Sequence, residues 1–366
     1  MTQVKEAPMG QPVTLAFLEG DGIGPEISQA TRQVLDAAGA RFGLKLNYQS
    51  AEIGFAALKN TGSTFPDAVF EMARACDGIV LGPVSHADYP PRDVGGLNPS
   101  GELRKRLDLY ANIRPARSRA GIAPRCGIPL DLVVVRENTE GFYADRCLHM
   151  GAGEFMPTPD IAMSLRKVTR QASLRIAEAA FAEAAKRGGK VTAVHKANVL
   201  RIGDGLFLDC CRAVAARHPD VAYNERIIDA MCAHLVRSPD EYDVIVTTNM
   251  YGDILSDLAS ELAGSLGLAA SLNAGDEHAM AQAQHGSAPD IAGRDIANPA
   301  SLIGSAAMLL DWLGARRGDA ALSQAATAID EALEQVLRQP QHRTADLGGN
   351  TGTAAFAELV AKAISA

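Results

Sequence analysis

Short apolar segments alternate with longer segments of helical character along most of this chain. The apolar segments are Val13–Leu18, Gly78–Gly82, Leu130–Val135, Val191–Val194 and Val244–Val246. One of the segments between them, the predicted helix Thr169–Lys186, ends in a helix-stop signal, the glycine pair at 188 and 189. Buried strands that alternate with helices form parallel sheets with helices on their faces. The pattern therefore predicts an α/β fold with a largely parallel sheet.

The composition indicates a globular protein. The chain has 366 residues, of which 47% are hydrophobic, so it is long enough for two domains or one large α/β unit. No apolar run reaches the roughly 18–20 residues that a membrane helix needs. The segment Met1–Gln11 is polar and lacks the apolar core of a signal peptide. We therefore expect a cytoplasmic protein.

Charge and cysteine usage argue against other classes. The formal net charge is −8, and no basic block with interleaved aromatic residues is present, which argues against binding to nucleic acid. The six cysteines include the adjacent pair Cys210 and Cys211 but no Cys-x-x-Cys pair. Their scatter predicts reduced, mostly buried thiols.

A glycine-rich turn follows the first predicted strand. Its glycines are at positions 20, 22 and 24, whereas the dinucleotide-binding fingerprint needs Gly-x-Gly-x-x-Gly. We therefore do not expect a Rossmann dinucleotide motif here.

Charged residues follow the carboxyl ends of four predicted strands: Arg136, Lys196, Asp229 and Asp253. In α/β sheets, ligands bind at this edge. Asp257 lies four residues after Asp253 in a helix predicted to begin after a turn at Gly252, so both carboxylates project from one face. A divalent cation with oxygen ligands would offset their repulsion. The residues alone also allow the solvated face of an amphipathic helix.

Three arginines occur near polar turns at Arg104, Arg114 and Arg136. The rigid guanidinium group matches a carboxylate with two parallel hydrogen bonds. The cluster favours a di- or tricarboxylate ligand, although three surface salt bridges would explain the same residues.

Six motifs resemble those of the isocitrate/isopropylmalate β-decarboxylating dehydrogenases, in the same order and nearly from end to end. They are Gly20-Asp-Gly-Ile-Gly-Pro-Glu26, Leu107-Asp-Leu-Tyr-Ala-Asn-Ile-Arg-Pro115, Arg136-Glu-Asn-Thr-Glu-Gly-Phe-Tyr143, His195-Lys-Ala-Asn-Val199, Thr247-Thr-Asn-Met-Tyr-Gly-Asp-Ile-Leu-Ser-Asp257 and His285-Gly-Ser-Ala-Pro-Asp-Ile-Ala-Gly293. The resemblance implies an isopropylmalate-dehydrogenase-like two-domain fold with a central, mostly parallel sheet, distinct from the Rossmann fold. It implies a discontinuous cofactor-binding domain (1–111 and 265–366) and a substrate and dimerisation domain (112–264) with an arm near 145–165.

The resemblance also assigns roles to individual residues. It implies Asn98, Ser100, Arg104, Arg114, Arg136 and Asn198 for substrate binding, Tyr143 and Lys196 for proton transfer, Asp229, Asp253 and Asp257 for Mg²⁺ or Mn²⁺, and His285, Gly286, Ser287, Ala288, Asp290 and Asn298 for the cofactor. Within this pattern Lys196 and Asp229 serve the partner's site in a homodimer. Asp290 favours NAD over NADP, because a carboxylate accepts a bond from a ribose 2′-hydroxyl but repels a 2′-phosphate.

Substrate choice is expected to depend on the residues before Arg104. Asn98 and Ser100 are polar, and facing an isopropyl group would leave their donors unpaired at a cost of roughly 1–3 kcal/mol. A substrate of the homoisocitrate or isocitrate type is therefore expected, converted to a 2-keto acid and CO₂. The alternatives are 3-isopropylmalate or tartrate turnover, or a non-catalytic regulatory subunit.

One single position and one four-residue segment depart from the resembled pattern. Gly101 stands where homoisocitrate enzymes carry an extra arginine, and Ala281-Gln-Ala-Gln284 replaces the usual Phe-Glu-Pro-Val.

Overall fold

A computed structural model describes residues 11–143 and 153–365 of the chain. Twelve strands lie in these ranges: β1 Val13–Leu18, β2 Leu46–Ser50, β3 Gly78–Leu81, β4 Ala111–Arg117, β5 Asp131–Glu137, β6 Glu154–Thr158, β7 Ile161–Ser164, β8 Lys190–His195, β9 Ala222–Ile227, β10 Val244–Thr247, β11 Leu272–Ala274 and β12 Ala279–Gln282. Eleven α-helices lie in the same ranges: α1 Gly24–Phe42, α2 Gly54–Thr61, α3 Asp67–Ala75, α4 Pro99–Arg106, α5 Arg170–Arg187, α6 Gly203–Ala215, α7 Ile228–Arg237, α8 Asn249–Ala263, α9 Ala300–Arg317, α10 Ala320–Arg338 and α11 Thr353–Ser365.

The chain forms two compact units. The first comprises 1–97 and 286–366, and the second comprises 98–285. Strand β4 pairs with β5 and with β11, so sheet hydrogen bonds tie residues 111 and 272–274 to the second unit. The functional domain boundaries at 111/112 and 264/265 stay a prediction.

In the first unit, β1 lies between β2 and β3, and both pairings are parallel. Helix α1 packs against α9, α10 and α11. Pro25 at the start of α1 suits the first turn, where a backbone N–H has no partner within the helix. Gly43 ends α1 in the left-handed conformation, which glycine adopts without strain.

In the second unit, the strands follow the order β12-β11-β4-β5-β10-β8-β9. The pairs from β12 to β5 are antiparallel, and the pairs from β5 to β9 are parallel. Strands buried on both faces carry continuous apolar runs, as in the fully buried Val244–Thr247 segment. The predicted α/β class with a mostly parallel sheet is confirmed.

Helices cover both faces of the parallel strands in this second unit. One face packs Val133 and Val246 against Phe181 of α5. The opposite face packs Val134 and Ile245 against α7 and α8. The alternation follows from strand geometry, because successive side chains point to opposite faces.

The predicted arm near 145–165 lies partly outside the described residues. Its described portion contains β6 and β7, which pair antiparallel. Large apolar side chains, among them Phe155 and Met156, are exposed on this hairpin. Its role as an arm between subunits stays a prediction.

In the part of the chain that the structure describes, no helix has both the length and the apolar character needed to span a bilayer.

The packing of α5 into the core leads to a prediction about the stability of the protein. Phe181 is fully buried and stacks on His218 and Tyr223, with ring centroids 5.3 and 6.1 Å away. We expect Phe181→Ala to lower the free energy of unfolding by about 3–5 kcal/mol, because it removes buried area and leaves a cavity. Chemical denaturation measures the effect. The control Lys186→Ala, exposed on the same helix, should change stability by about 0.5 kcal/mol or less; equal losses in both variants would contradict the packing argument.

Candidate active site

Parallel pairing brings four predicted site residues to one edge of the second unit's sheet. Strands β5, β10, β8 and β9 are successive neighbours. Arg136 lies at the end of β5, Lys196 directly follows β8, and Asp229 follows β9 at the start of α7. Asp253 lies on α8, which follows β10. The carboxyl ends of these strands therefore carry the charged groups together, as ligand sites in such sheets require.

Arg114 links the two aspartates of α8. Its Nη1 lies 3.2 Å from Asp253 Oδ1 and 3.4 Å from Asp257 Oδ1, and it donates to Ser256 Oγ at 2.7 Å. Arg114 is only 6% exposed. Burial, together with the neighbouring Arg136, lowers the pKa of Arg114 to about 10. The guanidinium therefore stays charged at neutral pH and offsets the repulsion between the two carboxylates.

Arg136 provides the second cation of this cluster. It is 2% exposed, and it pairs with Asp253 through Nη1. Its Nε and Nη2 donate to Asn249 Oδ1 at 3.0 and 2.7 Å. Burial alone would raise the pKa of Asp253, but Arg136 and Arg114 outweigh it and the pKa is lowered. Tyr143 completes the cluster, since its hydroxyl donates to Asp253 Oδ2 at 3.2 Å.

Helix α8 begins earlier than the sequence suggested. It starts at Asn249, so the prediction of a turn at Gly252 was wrong. Gly252 lies inside the helix, where an added Cβ would come within 2.6 Å of Arg136 Cβ and Cγ. Glycine is needed at this position because the arginine packs directly on the helix backbone.

The acidic pair has the donor chemistry of a hard-cation site. Asp253 and Asp257 offer carboxylate oxygens from adjacent turns of one helix face, which suits Mg²⁺ or Mn²⁺. Within residues 11–143 and 153–365, no three acidic, histidine or cysteine side chains gather around one point. The pair therefore fits such a cation by donor type, and the described residues add no third acidic, histidine or cysteine ligand beside it.

Lys196 and Asp229 pair with each other. Lys196 Nζ donates to Asp229 Oδ1, and this hydrogen bond lowers the pKa of Asp229. The backbone N–H of Lys196 donates to Asp204 Oδ2 at 2.5 Å. Asp204 is fully buried and also pairs with Arg166. This pair of aspartate and arginine holds the backbone that carries Lys196, while Asn198 lies exposed in the following turn.

Helix α4 presents the residues that were predicted to select the substrate. Asn98 is its N-cap, with Oδ1 accepting from Gly101 N at 3.2 Å. Ser100 Oγ and Arg104 Nη2 both donate to Gln282 Oε1, at 3.0 and 2.9 Å. The Ser100 hydroxyl therefore already has a partner within the chain, so the expected cost of an unpaired donor does not arise at this residue. The role of the helix in substrate selection stays a prediction.

The predicted cofactor segment lies in the first unit, except for His285 at the end of the second. Ser287 O accepts from Ile23 N at 2.8 Å, and Ser287 Oγ lies 2.7 Å from Ser85 Oγ. Ala288 has a left-handed backbone, with φ at 39°. Asp290 is exposed, and Asn298 is held by its bond to Asp346 at 3.0 Å.

The glycine-rich turn supports this segment. An added Cβ at Gly22 would lie 2.0 Å from Ser287 O, so only glycine allows the two backbones to approach so closely.

Comparisons with known proteins identify the family. A family profile described as isocitrate/isopropylmalate dehydrogenase matches residues 14–360. This chain belongs to that family. Its members are decarboxylating oxidoreductases, so the predicted enzyme class is confirmed.

Two relatives match over almost their whole length. An isocitrate/homoisocitrate dehydrogenase of Thermus thermophilus is 43% identical, covering 96% of this chain and 98% of the relative. A 3-isopropylmalate dehydrogenase of Archaeoglobus fulgidus is also 43% identical, covering 95% and 98%. Equal identity to both means that overall similarity does not select a substrate.

A solved structure shares the fold. The crystal structure of isocitrate dehydrogenase from Methylococcus capsulatus aligns with a TM-score of 0.86 at 38% identity, covering 97% of this chain and 100% of that one.

Five residues that contact the predicted site residues in the structure were not predicted from the sequence. They are Asn249, Ser256, Asp204, Gln282 and Gln284. Asn249 and Ser256 lie within a quoted motif, but their polar character alone does not distinguish a site residue from a helix surface. Gln284 Nε2 lies 3.1 Å from Asp257 Oδ1, and no local sequence pattern predicts this contact.

The close packing of Gly252 on Arg136 leads to a prediction about substrate binding. We expect Gly252→Ala to displace Arg136 and to raise the KM for the best substrate on the order of tenfold, equivalent to about 1.4 kcal/mol. Steady-state dehydrogenase kinetics measure this effect. Gly39→Ala is the control, because its added Cβ meets only ordinary contacts at 3.5 Å or more; a normal KM in Gly252→Ala would refute the steric argument.

Proposed function

We propose that this enzyme catalyses the NAD- and divalent-metal-dependent oxidative decarboxylation of a 2-hydroxy tricarboxylate of the isocitrate or homoisocitrate type. The products are a 2-keto acid and CO₂. The observation that carries the proposal is the cluster of Arg114 and Arg136 with Asp253 and Asp257, near enough to Arg104 of α4 for this arginine to help lower the pKa of Asp253.

Substrate binding is assigned to Arg104, Arg114 and Arg136. Their forked donors suit the carboxylates of a malate-like core. The polar side chains Asn98 and Ser100 on α4 support a polar third substituent, because they present hydrogen-bonding groups in place of an apolar surface. This argument disfavours 3-isopropylmalate as the best substrate.

Proton transfers are assigned to Tyr143 and Lys196. A divalent cation bound by Asp253, Asp257 and the partner subunit's Asp229 would supply Lewis-acid polarisation of the substrate's oxygens, and NAD would accept the hydride. The partner subunit's Lys196 takes the proton of the 2-hydroxyl as that carbon is oxidised. The carboxylate on the next carbon leaves as CO₂, and Tyr143 donates the proton that replaces it.

The cofactor preference is assigned to Asp290. Its exposed carboxylate lies next to the left-handed turn at Ala288. A carboxylate there accepts a hydrogen bond from the ribose and repels a 2′-phosphate. The remaining cofactor contacts are assigned to His285, Gly286, Ser287 and Asn298.

We infer a homodimer with shared sites, and the placement of Lys196 and Asp229 supports this inference. These two groups pair with each other and not with Asp253. Apolar side chains flank them on the surface: Val199 is 65% and Ile202 is 90% exposed. Exposed apolar patches of this kind mark protein interfaces, and a two-fold partner would bring the pair to the other chain's acidic cluster.

A cytoplasmic location completes the proposal. Its support is the cysteine chemistry: among the described residues, Cys76, Cys126, Cys210, Cys211 and Cys232 are free thiols, as expected in a reducing compartment. Cys147 lies outside the described residues.

A substrate panel tests the proposed reaction. The panel contains isocitrate, homoisocitrate, 3-isopropylmalate and tartrate, each with NAD and Mn²⁺, and turnover is measured by NADH absorbance. We expect isocitrate or homoisocitrate to give the highest kcat/KM. Tyr143→Phe should lower kcat by about 10²–10⁴-fold, because it removes a general acid. No activity on any of the four would refute the proposed reaction, and faster turnover with NADP would refute the role of Asp290.

Mixed dimers test the shared site. Lys196→Ala and Asp253→Asn should each be inactive alone. In an equal mixture, about half of the dimers are hybrids with one intact site, so about a quarter of parental activity should return. Activity after co-refolding of the two purified variants measures this. Absence of recovery in a mixture shown to contain hybrids would place both residues in the same chain's site.

A further inference from the structure

Asp21, in the glycine-rich turn, accepts hydrogen bonds from three other parts of the first unit. Its Oδ1 accepts from the backbone N–H of Phe55 at 2.9 Å, and its Oδ2 accepts from the backbone N–H of Ser85 at 3.0 Å. The hydroxyl of Tyr89 donates to the same Oδ2. Asp21 is 7% exposed, and its carboxylate satisfies three donors at once because both of its oxygens accept.

The segments that Asp21 holds also contact the predicted cofactor segment. Ile23, two residues after Asp21, donates its N–H to Ser287 O at 2.8 Å. Ser85, whose N–H donates to Asp21, places its Oγ 2.7 Å from Ser287 Oγ. Both serines are buried. The backbone and the side chain of Ser287 are therefore fixed by groups whose positions depend on Asp21.

Tyr89 donates to Asp21 from a well-packed side chain. Its ring meets the ring of Phe55 edge to face, with centroids 5.1 Å apart and an interplanar angle of 88°. Burial and the neighbouring Asp21 raise the pKa of the Tyr89 hydroxyl, so this hydroxyl keeps the proton that it donates at neutral pH. A phenylalanine at this position would keep the ring contact and lose the hydrogen bond.

We propose that Tyr89 and Asp21 are positioning residues for the dinucleotide, which hold the glycine-rich turn and Ser287 in the arrangement that binds NAD. Both act through Ser287, and neither is assigned a contact with the cofactor. The inference rests on the proposed function, because it takes the assignment of Ser287 to the cofactor as given. Loss of the Tyr89 hydroxyl should therefore weaken dinucleotide binding and leave the acid-base steps unchanged.

Tyr48 provides a matched control. It lies in the same unit, and its hydroxyl donates to Asp36 Oδ1 at 2.7 Å. Tyr48→Phe therefore removes the same type of bond from a tyrosine–aspartate pair outside the glycine-rich turn. The test variants are Tyr89→Phe, Asp21→Asn and the two combined. Circular dichroism and chemical denaturation show whether each variant folds and how much stability it loses.

The measured quantity is the Kd for NADH, obtained from the change in NADH fluorescence on titration with the full-length protein. We expect Tyr89→Phe to raise this Kd about fivefold, as the loss of a hydrogen bond to a carboxylate can produce. Tyr48→Phe should stay within about twofold of the parent, even where both variants lose similar stability. In steady-state kinetics, Tyr89→Phe should raise the KM for NAD and change kcat by less than about twofold.

The double variant tests whether Tyr89 acts through Asp21. If it does, adding Tyr89→Phe to Asp21→Asn should change the Kd by less than about twofold, because the partner of the hydroxyl is already altered. A further rise of about fivefold would overturn the route through Asp21. Should Asp21→Asn not fold, the comparison of Tyr89→Phe with Tyr48→Phe decides the proposal alone.

An unchanged Kd in Tyr89→Phe would overturn the proposal, as would an equal rise in Tyr48→Phe. The parent protein separates this failure from that of the proposed function. If the parent binds neither NADH nor NADPH, the cofactor assignment fails and the inference fails with it. If the parent binds either one, titration with that dinucleotide tests Tyr89 whatever the acid substrate is.

Discussion

The salt bridges from Arg114 to Asp253 and Asp257 hold the rest of the site together. Two carboxylates on adjacent turns of one helix repel each other, and a buried guanidinium is costly unless it is paired. Each group therefore stabilises the others, and the arrangement ties strand β4 to helix α8. Arg136 and Tyr143 then converge on Asp253 from a neighbouring strand and the turn that follows it. The position of each depends on that shared carboxylate.

Under the proposed function, the same cluster would let one family scaffold serve different substrates. The arginines and the acidic pair are proposed to bind the malate-like part that the proposed substrates have in common. The variable part of a substrate is proposed to meet helix α4, where Asn98 and Ser100 are polar. In this proposal, selection depends on a few side chains around Arg104, while the acid-base and cation chemistry stays unchanged.

Local patterns predicted the fold class well because burial acts on each strand directly. Every apolar run named at the outset contains or overlaps a strand, since a strand buried on both faces must be apolar along its length. The helix start at Asn249 was missed because Gly252 suggested a turn. Glycine serves there for close packing with Arg136, and a sequence does not show which use of glycine applies.

The sequence by itself determined which chemical groups follow the strand ends, because a parallel sheet collects those ends on one edge whatever the loops do. Only the tertiary structure decided which groups pair. Arg104 and Gln282 are 178 positions apart, and Arg114 and Asp253 are 139 apart. No local rule relates residues at such separations, because side-chain contacts between strands and helices depend on how the whole unit packs.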